Sequence, residues 1–288
     1  MAAMIVFRSA RTRGWLVLGG TALLVGCLLW GLLVFVVSAL AGTGPDHATP
    51  GTPQPPVAPG SVVSPAGQAA EDRTTAAAAR DALAARPMLS VPPSASQPQP
   101  LTTATAGPSM TLPTPTGLTT TPGSGTGDDI LASGFPRTPE GAVAALAAID
   151  AAAFTDLNPT SPLRAYQRAA LPGAVPYDLW TPRVGVTAIL GAAGIPGGSP
   201  QLTSSWTLTH AQVKGVLDGG DFVLACVLGE LDATYRTTVR AGVADCQRMV
   251  WSQGRWRIGP GDQPAYPPST WPGSADCVRA GWREAHYA

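Results

Sequence analysis

Histidine is the side chain best suited to exchange a proton near neutral pH, and the 288-residue chain contains three. His210 lies in an alternating segment, in phase with Trp206 and Leu208, so we expect it to face the cavity of a curved sheet. As a general base it would need an acid to orient the ring, such as Asp150 or Asp178. Because no motif links these residues, the sequence favours a partly buried, hydrogen-bonded histidine that is a polar group of the cavity.

The other candidates for catalysis or metal binding are weaker. His47 lies in a segment that we expect to be disordered, and His286 is two residues from Ala288, so we expect neither to be held rigidly. One ordered histidine and scattered acids are too few for a metal centre. The sequence contains neither a Gly-x-Ser-x-Gly nucleophile motif nor a Walker phosphate-binding loop. We therefore predict no catalytic residues, no cofactor, no metal and no enzymatic activity.

The four cysteines differ in their surroundings. Cys27 lies in an apolar N-terminal run, whereas Cys226, Cys246 and Cys277 follow it and would face an oxidising compartment. Three is an odd number, so at most one disulfide forms among these within the chain. We favour Cys226 with Cys246 because both lie in strand-like segments of one predicted sheet, and the sequence leaves open that Cys277 replaces either.

An arginine cluster lies within the predicted sheet: Arg236, Arg240, Arg248, Arg255 and Arg257. Strand side chains alternate, so Arg255 and Arg257 should share a face opposite Trp256. The cluster is a candidate interaction surface for DNA or for an acidic partner. Residues 135–288 balance 12 basic against 12 acidic side chains, which argues against direct nucleic-acid binding. The balance favours a solvated sheet face, partly neutralised by acids such as Asp232 and Asp245.

An uncharged run of 27 residues, from Trp15 to Ala41, predicts the location and membrane topology of the protein. As a helix it would rise ~40 Å, more than the ~30 Å hydrocarbon core of a bilayer. Three arginines and no acid precede it, which predicts a cytoplasmic segment over 1–14 and an extracellular C-terminal part. We favour a retained single transmembrane helix over 15–41. A signal peptide cleaved after Ala41 is the alternative that the sequence leaves open.

The next segment, residues 42–134, has the composition of a tether. It is rich in Pro, Thr, Ser, Gly and Ala, and no Phe, Trp or Tyr occurs between Val36 and Gly134. Such a segment cannot bury enough apolar surface to offset its chain entropy. We expect a disordered linker, with a local helix over Ala69–Ala85 as the one exception.

Residues 135–288 have the length of one domain and the pattern of an α+β fold. Three pairs typical of helix starts occur in order, at Thr138-Pro139, Ser161-Pro162 and Thr181-Pro182. The period then changes to two over Leu202–His210, which predicts helices packed on one face of an antiparallel sheet. The remaining predicted elements are a hairpin turn at Asp218–Asp221, strands over Phe222–Leu228, Thr234–Arg240, Asp245–Trp251 and Arg255–Ile258, and a short closing helix from Ser274 to Trp282.

Two stretches of this domain resemble a known family. Gly134–Ala145 reads GFPRTPEGAVAA, and Asp245–Trp251 reads DCQRMVW with Gly259-Pro260-Gly261 after it. Both resemble membrane-anchored proteins of actinobacterial integrative and conjugative elements, over residues 134–272. The order of helices and sheet is also similar to the nuclear-transport-factor-like (cystatin-like) cone of assembly factors in type IV secretion and conjugation channels. The resemblance implies a cone-like domain and a scaffold role in a DNA-transfer apparatus.

These expectations combine into one hypothesis about function. We predict a single-pass membrane protein that acts without catalysis, in assembly or in contact with other membrane or secretion-complex proteins, including copies of itself. The first alternative is an extracytoplasmic module that binds a small ligand or the cell wall in the cavity of the cone. A secreted enzyme is the third hypothesis. The sequence leaves the partner, the ligand and the oligomeric state open.

Overall fold

The computed structural model describes residues 65–88, 109–117 and 131–288. The predicted cytoplasmic segment and transmembrane helix lie outside these ranges, as do Cys27 and His47. Among the described helices, none is both long and apolar enough to cross a membrane.

The described residues form a mixed α+β fold around one curled sheet. Its helices are α1 (Pro65–Ala85), α2 (Pro139–Phe154), α3 (Thr160–Ala169), α4 (Thr181–Ala192) and α5 (Ala275–Arg279). Its strands are β1 (Ser109–Leu112), β2 (Thr203–Leu217), β3 (Phe222–Tyr235), β4 (Thr237–Ser252), β5 (Arg255–Ile258) and β6 (Arg283–Tyr287). The spatial order is β1-β6-β2-β3-β4-β5; β1 and β6 pair in parallel, and the other neighbours pair antiparallel.

Helix α2 begins where the Thr-Pro pair predicts it. The Thr138 hydroxyl accepts a hydrogen bond from the Gly141 amide at 3.0 Å, and Pro139 takes the first helical position. The helix is mostly alanine, so it packs closely against the sheet face that carries Trp206 and Met249, which we call the inner face. Helices α3 and α4 also begin at or next to the predicted pairs, so all three predicted helices are confirmed.

Two long hairpins form the centre of the sheet. β2 and β3 are joined by a turn at Asp218–Gly220, as predicted. β3 and β4 then pair along their whole length, and the chain reverses at Arg236, which has a left-handed φ of 64°. The predicted strand over Thr234–Arg240 is therefore wrong, since this segment is the tip of a hairpin. The polar stretch Gly229–Asp232 interrupts the apolar alternation but not the backbone ladder, which needs no apolar side chain.

The opposite face of the sheet, which we call the outer face, is also covered. Leu228 and the pair Cys226 and Cys246 lie in an apolar cluster with Met88 and Trp282. The prediction of a solvated sheet face is therefore wrong for the centre of the sheet. The cover comes from α1 with the residues that follow it and from the chain around α5, two segments whose packing the strand pattern does not show.

Three parts of the predicted tether belong to this fold. The last turn of α1 packs on the sheet, where Ala84 is 1% exposed, and β1 is an edge strand in which Leu112 is 0% exposed. Residues 131–134 pack against the core through Leu131 and Ala132. The prediction of disorder over 42–134 is therefore wrong for residues 65–88, 109–117 and 131–134, whereas the local helix is confirmed as α1. These segments contain no aromatic residue, but a few aliphatic side chains suffice where the rest of the sheet provides the apolar surface.

The C-terminal residues complete the sheet. α5 begins after Ser274, which caps it as predicted, but it ends at Arg279 rather than at Trp282. The chain then forms β6 between β1 and β2, a strand that the charged sequence did not predict. His286 lies in this strand, with Nε2 3.2 Å from the Thr111 hydroxyl, so the expectation that His286 would not be held is wrong.

Candidate functional site

An open cleft of about 380 Å³ lies between the end of α3, strand β5 and the chain at residue 131. We call it the arginine cleft, and its lining is Leu131, Gln167, Arg168, Arg255 and Arg257. Two of its arginines belong to the predicted interaction surface. Sequence reasoning missed Gln167 and Arg168, because α3 and β5 are about 90 residues apart in the chain and only the tertiary fold brings them together.

Strand β5 positions two of the arginines. Trp256 and Ile258 are buried, whereas Arg255 is exposed and Arg257 is partly exposed, which is the alternation that the sequence predicts. The Trp256 indole Nε1 donates a hydrogen bond to the Pro136 carbonyl at 2.8 Å, and its ring packs edge-on against Trp251 at 5.3 Å between centroids. The buried half of β5 therefore fixes the strand, and the cationic half is available to the cleft.

The end of α3 forms the other wall. Arg257 Nη2 donates a hydrogen bond to the Arg168 carbonyl at 3.1 Å, in the last turn of the helix. Carbonyls at a helix C-terminus carry partial negative charge, so this contact holds the guanidinium in place without neutralising it. The Leu171 amide also donates to the Ile258 carbonyl at 2.9 Å, which ties the chain after α3 to β5.

Two arginines of the cleft, Arg255 and Arg257, have no acidic partner among the described residues. Burial lowers the pKa of Arg257, and the adjacent charge of Arg255 lowers it further. The Arg257 Nε is buried without a hydrogen-bond partner among the described residues. Within that same part of the chain, no carboxylate lies at ion-pair distance from Arg255 or Arg257. An anionic group in the cleft would provide the missing acceptor and counter-charge.

The other three predicted arginines lie elsewhere. Arg236 is at the hairpin tip, with its guanidinium 5.1 Å from the Tyr235 ring centroid. Arg240 is ion-paired with Glu230 and with Asp232, the latter at 3.3 Å. Arg248 is buried on the outer face, where α1 covers it. The structure therefore does not gather all five arginines into one surface, because they are spread over the β3–β4 hairpin tip, two separate positions on β4, and β5.

An apolar pocket adjoins the arginine cleft and shares three residues with it, Leu131, Arg168 and Arg255. Its volume is about 40 Å³, and we call it the side pocket. The rest of its lining is mainly apolar: Ala132, Ser133, Gly134, Phe135, Ala145, Ile149, Ala169 and Trp256. A cationic cleft and an apolar pocket therefore lie side by side.

His210 does not face the interior. The β2–β3 register shifts between Leu208 and His210, so His210 lies opposite Leu228 on the outer face. The expectation that it is in phase with Trp206 is wrong, because a bulge reverses the alternation at this point. Burial lowers the pKa of His210, and Glu284 on β6 opposes the shift. Asp150 lies on the helix that covers the inner face, so it does not orient the imidazole.

His210 is one of three alternate β2 residues that each bury an atom without a hydrogen-bond partner in the described structure. These atoms are His210 Nδ1, Gln212 Oε1 and Lys214 Nζ. Lys214 is the only lysine of the chain. Burial lowers its pKa, and the charge of Arg86 adds to the effect. We call these three residues the polar row; water or a polar ligand is the usual partner of such atoms.

Two buried acids lie on the inner face. Asp150 on α2 and Asp245 on β4 are each 1% exposed. Burial raises the pKa of Asp150 well above its usual value, and the charge of Asp245 adds to the shift. Burial also raises the pKa of Asp245 to about 7, although the Gln247 amide, with Nε2 2.9 Å from one carboxylate oxygen, opposes it. The expectation that Asp245 neutralises arginines on a solvated face is therefore wrong.

The three described cysteines lie in one cluster on the outer face. Cys226 and Cys246 are directly opposite in the β3–β4 ladder and form a disulfide, the pairing favoured from the sequence. Cys277 is a buried free thiol, and burial raises its pKa. A raised pKa reduces the thiolate fraction, so this thiol is a poor nucleophile.

Among the described residues, no group of three or more histidine, cysteine or acidic side chains is arranged to hold a metal ion. No protein-family model matches the chain, and no curated protein or solved structure is similar enough to count as a match. The geometry of the described residues is therefore the basis on which function is assigned.

Proposed function

We propose that this protein is a non-enzymatic, membrane-anchored interaction component whose arginine cleft receives an acidic segment of a partner protein. The observation that carries the proposal is the pair Arg255 and Arg257, which face an open cleft without a carboxylate partner among the described residues. A guanidinium offers a planar fork of donors that matches a carboxylate, so an aspartate or glutamate side chain is the expected ligand.

A protein partner is favoured over a nucleic acid by the distribution of charge. The folded part of the chain from residue 135 has equal numbers of basic and acidic side chains. Several of its arginines are ion-paired internally, including Arg137 with Asp221 and Arg279 with Asp276. A polyphosphate backbone is bound by an extended basic surface, whereas a local cleft suits a short acidic segment.

The anchor and the wider assembly are part of the same proposal. The uncharged run over 15–41 supports a transmembrane helix that places the cleft outside the cell. Three helices, α2 to α4, precede the curled β2–β5 sheet, which supports a relationship to the nuclear-transport-factor-like cone. Through that relationship we propose a place in a conjugative or secretion complex, with a second membrane-associated protein as the partner.

A second candidate function is favoured by the polar row. Three unpartnered buried atoms on β2 are a donor and acceptor set suited to a small hydroxylated or amide ligand, such as a cell-wall fragment. Under this alternative the protein binds the wall rather than a partner protein. Thermal stabilisation of the protein by N-acetylglucosamine, lost in Lys214→Met, would favour it over the proposal above.

Fluorescence anisotropy with full-length protein in detergent tests the proposal. The probe is a labelled peptide of four glutamates, and we expect Arg255→Ala/Arg257→Ala to raise its Kd at least ~10-fold, since each lost charge-assisted hydrogen bond costs roughly 1.5–3 kcal/mol. Arg164→Ala is the matched control, because it removes an exposed arginine of α3 outside the cleft. Equal binding by wild type and the double variant, or tighter binding of an oligonucleotide at the cleft, would contradict the proposal.

A further inference from the structure

The arginine cleft and the side pocket form one continuous surface. They share Leu131, Arg168 and Arg255, and Trp256 lies in the side pocket as the next residue of β5. Arg255 lines both parts of this surface, whereas Trp256 lines only the side pocket. A ligand that reaches Arg255 therefore has an apolar recess immediately beside it.

We propose that the partner segment carries a small apolar side chain next to its acidic residues, and that the side pocket receives it. This inference rests on the proposed function, because it assigns the acidic residues of the same partner to the cleft. The partner is thus a protein with an acidic stretch followed by a residue the size of alanine or valine.

The volume of the side pocket determines the size of that residue. The pocket measures about 40 Å³, about three times the ~10–15 Å³ that one water molecule needs on the same measure. The space therefore suits the methyl group of alanine or the branched side chain of valine. A phenylalanine ring would require its walls to move, and these walls include the buried residues Phe135, Ala145 and Ile149.

The walls are fixed before any ligand arrives. The Trp256 indole is held by the hydrogen bond to the Pro136 carbonyl, and Ala169 is buried in the last turn of α3. A preformed recess costs little to fill, because its side chains lose no further freedom on binding. Transfer of one methylene into an apolar site is expected to tighten Kd about fourfold.

The test compares four labelled peptides on full-length protein in detergent. Each has four glutamates followed by glycine, alanine, valine or phenylalanine. We expect alanine to bind about fourfold more tightly than glycine and valine about tenfold, with phenylalanine weaker than valine. Ala169→Val should remove the preference by filling the side pocket, while its affinity for the glycine peptide stays near that of wild type.

A second variant keeps the test decisive if Ala169→Val does not fold. Leu131→Ala enlarges the side pocket from its partly exposed side, so we expect the preference to move from valine toward phenylalanine. If all four peptides bind wild type equally, the inference is overturned while the proposed function stands. If none binds, both are overturned. If Ala169→Val leaves the preference for valine intact, that preference comes from elsewhere and the side pocket is not its site.

Discussion

Arginines occupy two different environments in this protein, and the difference separates structure from binding. On the outer face, the Arg248 side chain is 6% exposed and is ion-paired with Asp81 of α1 at 2.7 Å. It also donates to the Asp262 carbonyl at 2.9 Å, and Gly261 lies so close that a Cβ there would be 2.6 Å from the guanidinium. These contacts enclose the Arg248 guanidinium and connect α1 to the sheet.

In the arginine cleft, Arg255 and Arg257 line an open space instead of being enclosed by the chain. Among the described residues, Arg257 is hydrogen-bonded only to a helix-end carbonyl, and Arg255 projects from an edge strand. Unpaired like charges side by side destabilise a fold slightly, so the chain gains nothing in stability from placing them together. This contrast suggests that Arg248 is retained for folding and the cleft arginines for a ligand.

The largest expected effect concerns two buried acids, Asp150 and Asp245, which have no ion-paired cation among the described residues. The pKa of Asp245 is raised from 3.8 to about 7, so between these values the native state binds more protons than the unfolded state. The stability due to protonated Asp245 is fully present below pH ~4 and is lost as pH rises through ~7, by roughly 4 kcal/mol. Asp245→Asn should flatten this slope in urea denaturation from pH 5 to 8.

Other groups near the pair titrate outside that window. Burial raises the pKa of Tyr266, and the charge of Asp245 adds to the shift, so the tyrosine stays neutral there. His210 lies on the opposite face of the sheet. The same measurement on His210→Gln separates its contribution to the pH dependence of stability from that of the two acids. A wild-type stability that stays constant or increases from pH 5 to 8 would show that the two acids are not held protonated.

An intermediate effect is expected at Arg248. Arg248→Met keeps the apolar stem but removes the contacts to Asp81 and to the Asp262 carbonyl, and we expect a loss of ~2 kcal/mol in the free energy of unfolding. The freed Asp81 carboxylate is largely exposed and can be hydrated, which limits the cost. Arg164→Met is the control, and urea denaturation is the measurement. A loss equal to that of the control would remove the distinction between the two environments.

The smallest effect on stability is expected in the cleft. Arg255→Ala should change the free energy of unfolding by less than ~0.5 kcal/mol, because the side chain is exposed and makes no ion pair among the described residues. Arg257→Ala should cost slightly more, since it loses the bond to the Arg168 carbonyl. Thermal unfolding of the two variants measures this. A loss of stability as large as that of the Arg248 variant would show that the cleft arginines are needed for folding stability.

The elements predicted correctly are those whose determinants are local. The Thr138-Pro139 pair caps α2 as expected, and the alternation of β5 places Arg255 and Arg257 on one face. The Asp218–Gly220 turn follows from its glycines. In each case, a few adjacent residues specify the backbone, so their types and order carry the information.

The elements that were missed depend on distant partners. The bulge at Thr209, whose hydroxyl donates to the Leu228 carbonyl at 2.9 Å, depends on the pairing of β2 with β3, and it changes the face that the imidazole occupies. Strands β1 and β6 are short; β1 is held by its pairing with β6, and β6 by its pairing with both β1 and β2. Only part of the cleft was predicted. The sequence pattern placed Arg255 and Arg257 of β5 on one face, but Gln167 and Arg168 lie on α3, which only tertiary packing brings close to β5.

The parallel pairing of β1 with β6 has a mechanical consequence. The Ala288 amide also donates to the Leu112 carbonyl at 2.9 Å, so the last residue of the chain is tied to the strand that arrives from the N-terminal side. A load applied along the chain before Ser109 would slide β1 lengthwise against β6 and strain their cross-links together rather than one at a time. Such a load would thus be resisted in shear at the sheet edge, and an extension fused after Ala288 would emerge beside that junction.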